Sequence, residues 1–278
     1  MKVLFIVFVT LFSLNTFAQA EGECPQRIIS LGPALTEDLY ILGEEDRIVG
    51  CTVYCDRPLA AKQKEKVSTV REVNLEKVVA LRSDLVLATS LTNVKAIEKL
   101  RKLKVKVITF PSAKSFIEIC GQFLRLSEIV GKKAEAERII SQVEEEVNYI
   151  KKSVENSVKP KVFVQVGAKP LVTVKGDSFV NDFVEFAGGI NIAKNLKSAV
   201  YSREKVLQDN PDVIIIVTMG INGREEKKAW QRFGTLNAVK NDRIYIMDSD
   251  AVASPTPLIF AETLKRIVKI LHPESGGV

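Results

Sequence analysis

The sequence predicts an α/β protein of two lobes, each with a mostly parallel central sheet flanked by helices, joined by a single long linker helix. Two observations carry this prediction. Short apolar runs alternate with amphipathic segments in both halves of the 278-residue chain, which is typical of parallel strands connected by helical crossovers. Between the halves lies one long amphipathic stretch that contains no proline.

The first half contains four apolar runs that we interpret as buried strands. They cover residues 27–31, 47–52, 84–88 and 104–110. Amphipathic segments at 36–42 and 92–103 are predicted as helices between them, and Gly43 ends the first helix.

The stretch from 115 to 156 predicts the linker helix, which we place within residues 129–157. Apolar side chains recur at spacings of three and four along 132–154, giving one apolar stripe and one charged face. A helix of about 25 residues is about 40 Å long, so it can connect two separate bodies.

The second half repeats the alternation of the first. We predict strands at 161–166, 213–217 and 243–247, and helices at 179–187 and 258–271. The predicted organisation is therefore a leader over 1–20, a first lobe over 21–128, the linker helix over 129–157 and a second lobe over 158–278.

The first twenty residues have the features of a secretory signal peptide. Lys2 precedes an apolar run over 3–12, and small residues stand at Ala18 and Ala20. The run is too short for a membrane anchor, so we predict cleavage after Ala20 and a periplasmic location. Glu23 stands before Cys24, where lipidation requires a small residue, and this argues against a lipoprotein.

The cysteine and histidine content restricts the chemistry. Cys24, Cys51, Cys55 and Cys120 allow two disulfides in three pairings, or free buried thiols. The pair Cys51 and Cys55 lacks the second pair that a zinc site requires. His272 is the single histidine, which argues against a Ser-His-Asp hydrolase and a multi-histidine metal site. The basic residues near 99–106 are expected on a solvated helix face, so no nucleic-acid partner is predicted.

Two segments of the chain resemble each other, residues 74–87 and residues 202–215. Each begins with a helix-capping residue, has a glutamate at the second helical position and an aspartate before a strand. The glutamates, Glu76 and Glu204, either complement the helix dipole or form a docking surface with one carboxylate in each lobe.

Several segments together resemble the substrate-binding proteins of ABC importers for cobalamin, haem and ferric siderophores. They are RIISLGPALTE (27–37), VGCTVYCDRP (49–58), the stretch 74–87, the stretch 176–192 and NAVKNDRIY (237–245). The resemblance covers nearly all of residues 25–273. It implies two lobes joined by a stiff helix, a metal chelate bound between them, and a monomer. It also implies that Glu76 and Glu204 meet arginines on an ABC permease dimer, which works with its ATPase.

Loops at the carboxyl ends of parallel strands are the expected ligand site of such a fold. Tyr54 can lie flat on a planar macrocycle, and Arg71 and Lys169 can attract carboxylates. No residue is predicted to ligate metal directly. The predicted ligand-binding residues are Pro33, Tyr54, Val70, Arg71, Ser90 and Thr92 in the first lobe and Gln165, Lys169, Met219, Asp250 and Ser254 in the second.

The sequence therefore predicts a binding protein that captures a chelate and delivers it to a permease, without enzymatic activity or a cofactor. The alternative is a secreted two-lobed α/β enzyme such as a transferase. Neither G-x-G-x-x-G nor G-x-x-x-x-G-K-[ST] occurs in the chain, and G-x-S-x-G is absent as well, which disfavours that alternative.

Overall fold

The computed structural model describes residues 24–69, 72–218 and 220–274. Within them the strands form two separate sheets of five strands each, and both sheets are flanked by helices, so the predicted α/β class and its two lobes are confirmed. The leader and its cleavage site lie outside the described residues.

The first lobe contains an all-parallel sheet in the order β3-β2-β1-β4-β5. A Cβ at Gly32 would come 2.6 Å from Thr89 Cγ2, so glycine permits the ends of β1 and β4 to approach closely. The elements of this lobe are β1 (Ile28–Ser30), α1 (Pro33–Ile41), β2 (Ile48–Thr52), β3 (Lys66–Ser68), α2 (Leu75–Ala80), β4 (Leu85–Thr89), α3 (Val94–Lys102) and β5 (Val107–Phe110).

Two helices rather than one lie between the sheets, α4 (Phe116–Val130) and α5 (Lys133–Ser153). The predicted linker helix corresponds to α5, whose apolar stripe, including Val143 and Val147, is buried. The break between the two helices falls at Gly131, which has the left-handed backbone (φ +77°) that glycine adopts at helix ends.

The second lobe contains a mixed sheet in the order β10-β9-β6-β7, with β8 paired to β6. Strand β7 is antiparallel to β6, and the other pairings are parallel. The remaining elements of the chain are β6 (Lys161–Ala168), β7 (Leu171–Thr173), α6 (Phe179–Phe186), β8 (Ile190–Asn191), α7 (Arg203–Asp209), β9 (Val213–Val217), α8 (Gly223–Gln231), α9 (Asn237–Lys240), β10 (Ile244–Met247), α10 (Ser249–Ala253) and α11 (Pro257–Leu271).

One hydrophobic core extends from the first sheet to the second through α4, α5 and α11, which we call the central helices. The Phe260 ring lies 4.6 Å from Phe116 and 4.3 Å from Phe183 between ring centroids. The Asp182 carboxylate of α6 accepts a hydrogen bond from the Phe116 N–H at the start of α4 (2.8 Å). The lobes are therefore joined by packed side chains as well as by the chain itself.

The two resembling segments occupy corresponding places in the two lobes. Asp84, before β4, accepts a hydrogen bond from the Arg27 N–H at the start of β1 (3.1 Å). Asp212, before β9, accepts one from the Lys161 N–H at the start of β6 (2.9 Å). In each lobe the aspartate therefore fixes the beginning of the neighbouring strand, which explains why the same residue stands at both positions.

Candidate functional site

A cavity of about 290 Å³ lies at the carboxyl ends of the first sheet and faces α10 of the second lobe. The order of this sheet reverses between β1 and β4, and open α/β sheets bind ligands at such a point. The first lobe provides Leu31, Pro33, Thr52, Tyr54, Asp56, Arg57, Ser68, Thr69, Glu72, Val73, Thr89, Leu91, Thr92 and Asn93. The second lobe provides Ser249, Asp250, Ala253 and Ser254.

The structure brings five of the predicted ligand-binding residues together at this cavity. They are Pro33, Tyr54, Thr92, Asp250 and Ser254. The Tyr54 side chain is 52% exposed, which leaves its ring accessible to a bound molecule. Val70, Arg71 and Met219 lie outside the described residues.

The other three predicted residues do not line the cavity. Ser90 lies beside it, with its hydroxyl hydrogen-bonded to that of Ser112 (2.7 Å). Lys169 is exposed at the turn between β6 and β7. Gln165 is fully buried: its side chain accepts a hydrogen bond from Trp230 Nε1 (2.7 Å) and donates one to Glu226 Oε2 (2.8 Å). Gln165 therefore connects β6 to α8 inside the second lobe.

Sequence reasoning missed three charged residues of the cavity, Asp56, Arg57 and Glu72. Asp56 and Arg57 follow Tyr54 directly, so their position just beyond the end of β2 was the available signal. It also missed α10, whose five residues are too few to show a helical period.

Among the described residues that line the cavity, the charge is predominantly negative. Asp56, Glu72 and Asp250 contribute carboxylates, and Arg57 contributes a guanidinium. Burial raises the pKa of Asp250, and the neighbouring carboxylates of Asp248 and Asp56 raise it further, whereas Arg57 opposes the shift. Asp56 and Asp250 belong to different lobes, so like charges interact across the cavity.

Arg57 connects the two lobes beside the cavity. Its Nη2 lies 3.0 Å from Glu37 Oε2 of α1 and donates a hydrogen bond to the Ser254 carbonyl of the second lobe (3.0 Å). Burial raises the pKa of Glu37, and the Arg57 charge opposes that rise. Because Glu37 already pairs with this guanidinium, the three carboxylates leave the described part of the cavity lining with a net negative charge.

Glu76 and Glu204 are both exposed and stand at the second position of α2 and α7. Asn74 caps the first of these helices by accepting from the Lys77 N–H, and Ser202 caps the second in the same way. Hydrogen bonds from its own backbone N–H and from Ser202 lower the pKa of Glu204. The structure therefore presents one exposed glutamate on each lobe.

The part of the chain that the structure describes contains no group of three or more His, Cys, Asp and Glu side chains arranged to hold a metal ion. Over the same residues, no helix combines the length and the apolar character needed to cross a bilayer.

Comparison with known proteins identifies the family. A family model described as periplasmic binding protein matches residues 28–251. The chain belongs to the periplasmic binding protein family.

Individual relatives agree with this assignment. The chain is 29% identical over 261 residues to the ABC transporter substrate-binding lipoprotein YvrC of Bacillus subtilis, covering 90% of this chain and 81% of that one. It is 29% identical over 269 residues to the vitamin B12-binding protein of Vibrio parahaemolyticus, covering 95% and 94%. The crystal structure of a possible iron-binding periplasmic solute-binding protein of Staphylococcus epidermidis has a TM-score of 0.81 at 30% identity, covering 90% and 100%.

These findings confirm the predicted class of function. The chain is a substrate-binding component of an ABC importer, and its relatives are binding proteins rather than transferases or other enzymes. Such a component works with a permease and an ATPase and carries a small molecule. Its relatives are described as periplasmic or as lipoproteins.

Proposed function

We propose that the protein captures a bulky neutral or cationic metal chelate, a corrinoid first among them, in the cavity between the lobes. The observation that carries this proposal is the charge of the described lining residues, among which Asp56, Glu72 and Asp250 outweigh an Arg57 that is already paired with Glu37. Haem and catecholate siderophores carry carboxylates or a net negative charge, which this cavity would repel. Cobalamins are neutral or cationic.

The aromatic ring of Tyr54 supports the same ligand class. It is half exposed at the cavity, just beyond the end of β2, and an aromatic ring there can pack against a planar macrocycle. Pro33 and Leu91 add apolar surface beside polar Thr92. Relatives named vitamin B12-binding proteins cover nearly the whole chain, which also favours a corrinoid.

The packing between the lobes supports capture by a preformed site. The central helices share one core with both sheets, and Arg57 joins the lobes beside the cavity. A site that is formed before the ligand arrives loses less conformational entropy on binding. The protein then needs only a small closing motion to hold its cargo.

A binding panel tests the ligand class. Calorimetry should give tight binding of cyanocobalamin and of the cation aquocobalamin, weaker binding of the neutral ferric hydroxamate ferrichrome, and no binding of haemin or ferric enterobactin. In Asp250→Asn, affinity for aquocobalamin should fall about threefold more than affinity for cyanocobalamin, since one exposed charge pair is worth about 0.2–1 kcal/mol. The exposed Asp46→Asn is the matched control. Haemin as the tightest ligand would contradict the proposal.

We propose that the loaded protein docks on its permease through Glu76 and Glu204. Both are exposed, each lies on a different lobe, and both occupy the same position of a capped helix. A permease built from two similar subunits would present a matching pair of basic residues. The ATPase partner then supplies the work of transport, and the binding protein performs no covalent chemistry.

Export completes the proposal: the chain is cleaved after Ala20, remains unlipidated at Cys24 and acts in the periplasm as a monomer. The division into a first lobe over 21–128, a linker over 129–157 and a second lobe over 158–278 belongs to the same proposal. Mass spectrometry of the mature protein should give Glu21 as its first residue, and light scattering should give the mass of one chain. A lipid-modified Cys24 at the mature N-terminus would contradict this processing.

A further inference from the structure

Two of the four cysteines form a buried pair behind the cavity. Cys51 in β2 and Cys55 after it are 0% and 1% exposed, and the Lys66 ammonium contacts both residues, at Cys51 Sγ and at the Cys55 carbonyl oxygen. Cys24 instead contacts Gly131 at the end of α4. Cys120 lies in α4 itself, roughly 16 Å from Gly131 along the helix axis at 1.5 Å per residue. The structure therefore brings one pair of thiols together and keeps the other two apart.

The surroundings of this pair stabilise negative charge on sulfur. Lys66 Nζ lies 3.2 Å from Cys51 Sγ and also donates to the Cys55 and Ala61 carbonyls (3.0 and 2.9 Å). The Thr36 hydroxyl donates to Cys55 Sγ (3.1 Å). The neighbouring Cys51 side chain, together with the Thr36 and Thr52 hydroxyls, lowers the pKa of the Cys55 thiol, whereas the pKa of Cys51 is raised. Cys55 is therefore the thiol that ionises first, and a thiolate is the form that attacks disulfides.

The segment between the two cysteines belongs to the ligand cavity. Thr52 and Tyr54 line it, and the residues that follow Cys55 line it as well. The Cys55 N–H donates to the Thr52 carbonyl (3.1 Å), and the Tyr54 N–H donates to the Thr52 hydroxyl (3.2 Å). These hydrogen bonds define a tight turn that we call the cysteine turn, residues 51–55.

We propose that Cys51 and Cys55 are a redox-active pair whose oxidation to a disulfide closes the cysteine turn and stiffens the wall that carries Tyr54. The proposal rests on the export proposed above, because disulfides persist in oxidising compartments. It selects the disulfide between Cys51 and Cys55 from the pairings of the four cysteines that the sequence left open.

The chemistry requires a disulfide oxidant, either a small-molecule disulfide or a protein disulfide. The Cys55 thiolate attacks one sulfur of the oxidant, forming a mixed disulfide and releasing the other sulfur as a thiolate that takes up a proton. Cys51 loses its proton, and its sulfur attacks Cys55 Sγ and displaces the remaining half of the oxidant as a second thiol. The pair loses two electrons and two protons, and the oxidant gains them. Because both sulfurs are buried, exchange proceeds during folding or when the turn opens.

Thiol mapping on the exported full chain tests the site. The protein is equilibrated in glutathione buffers of decreasing reducing power, denatured in an alkylating agent, digested and analysed by mass spectrometry. We expect Cys24 and Cys120 to be alkylated, while the peptide containing Cys51 and Cys55 is unalkylated and lighter by two hydrogens. Alkylation of both residues in the most oxidising buffer, or a link from either to Cys24 or Cys120, would overturn the proposal.

Amide hydrogen exchange tests the consequence for the turn. Exchange over residues 52–57 should be about tenfold slower in the oxidised protein than in the reduced one. This difference should disappear in Cys51→Ser/Cys55→Ser and persist in the control Cys24→Ser/Cys120→Ala. Equal exchange in the two redox states of the wild-type chain would overturn the proposed stiffening. Neither measurement uses a ligand, so the result is independent of whether a corrinoid binds.

Discussion

The two lobes share the side-chain contacts that fix the beginnings of their strands, but they differ in the residues that line the cavity. In both, a capped helix with an exposed glutamate leads to a strand, and an aspartate, Asp84 or Asp212, fixes the start of the neighbouring strand. At the cavity the first lobe leaves the ends of four strands open, whereas the second lobe contributes α10 and Ser254.

Gln165 illustrates the difference. It stands in the central strand of the second lobe, but its amide is occupied by Trp230 and Glu226, and Glu226 also pairs with Arg203. The side chains of Gln165, Trp230 and Glu226 thus pair with one another, while Asp56 and Glu72 of the first lobe line the cavity. Residues that occur at the same place in both lobes therefore belong to the shared architecture and to the proposed docking surface. Residues that occur in only one lobe form the cavity.

The largest effect is expected on transport, from Glu76 and Glu204, which occupy the same position in the two lobes. Glu76→Ala with Glu204→Ala should abolish uptake of labelled cyanocobalamin by cells that carry the cognate permease, because both docking carboxylates are lost. Each single variant should retain part of the uptake if the lobes dock equivalently. Ligand affinity, measured by calorimetry, should be unchanged.

Glu98→Ala with Glu145→Ala provides the matched control, since both glutamates are exposed on helices elsewhere. Uptake at the wild-type rate in the Glu76 and Glu204 double variant would reject docking through this pair.

The next effect should distinguish the two lobes at the cavity. Tyr54→Ala should weaken cyanocobalamin binding about 10–100-fold, or about 1.4–2.8 kcal/mol, because a packed aromatic ring is lost. Lys169→Ala in the second lobe should change the affinity less than about twofold, a cutoff of roughly 0.4 kcal/mol on the same scale, since Lys169 lies away from the cavity. Val53→Ala, the exposed neighbour of Tyr54, controls for the turn itself. A larger loss in Lys169→Ala than in Tyr54→Ala would reverse the roles assigned to the lobes.

A smaller effect should appear in stability rather than affinity. Gln165→Leu leaves the buried Trp230 N–H without its acceptor, which should reduce the free energy of unfolding by about 1–3 kcal/mol. Denaturant unfolding measures the loss, and calorimetry should show unchanged ligand affinity. Gln231→Leu, exposed next to Trp230, is the control. A lost affinity with unchanged stability would make Gln165 a ligand contact instead.

The smallest effect is expected from a buried polar residue in α1 of the first lobe and from one in α6 of the second. In α1 the buried Asp38 has Oδ1 without a hydrogen-bond partner among the described residues, and burial and then Glu37 raise its pKa. In α6 the buried polar residue Asn181 is neutral and accepts a hydrogen bond from Asn191 (3.0 Å). The first lobe thus buries a titratable group where the second buries a neutral one.

A carboxyl whose folded pKa is raised contributes stability below its unfolded pKa, and this contribution is lost as pH rises through the folded pKa. Asp38→Asn does not titrate, so it should be more stable than wild type by about 1 kcal/mol near pH 8, with the difference disappearing toward pH 4. Urea unfolding at several pH values measures this. Asn181→Asp should show the opposite trend. A pH-independent difference between Asp38→Asn and wild type would remove Asp38 as the cause.

Local sequence patterns predicted most of the architecture because they depend on neighbours in the chain. The run at 213–217 is buried at every residue of β9, and the apolar period of α5 marks its packed face. The cap residues Asn74 and Ser202 begin helices as predicted. Short elements such as β3, β8 and α10 were missed because two to five residues show no period.

The cavity was less predictable because its contacts join distant parts of the chain. Arg57 reaches Ser254 across 197 positions, and Gln165 meets Trp230 across 65. A polar residue near a strand end is compatible with both a ligand site and a buried network, and the sequence contains no signal that separates them. Tyr54 and Gln165 were therefore predicted on the same grounds, although one lines the cavity and the other is enclosed.

The aromatic cluster of Phe116, Phe183 and Phe260 has a consequence for how the molecule folds. These rings come from the middle of the chain, the second lobe and the C-terminal helix; Phe116 and Phe183 both pack on Phe260, and all three are buried. Neither half of the gene, expressed alone, would encode all of them, so each fragment would expose phenylalanine to water. Heating should accordingly give a single cooperative transition, and co-expressed fragments should need each other to become soluble.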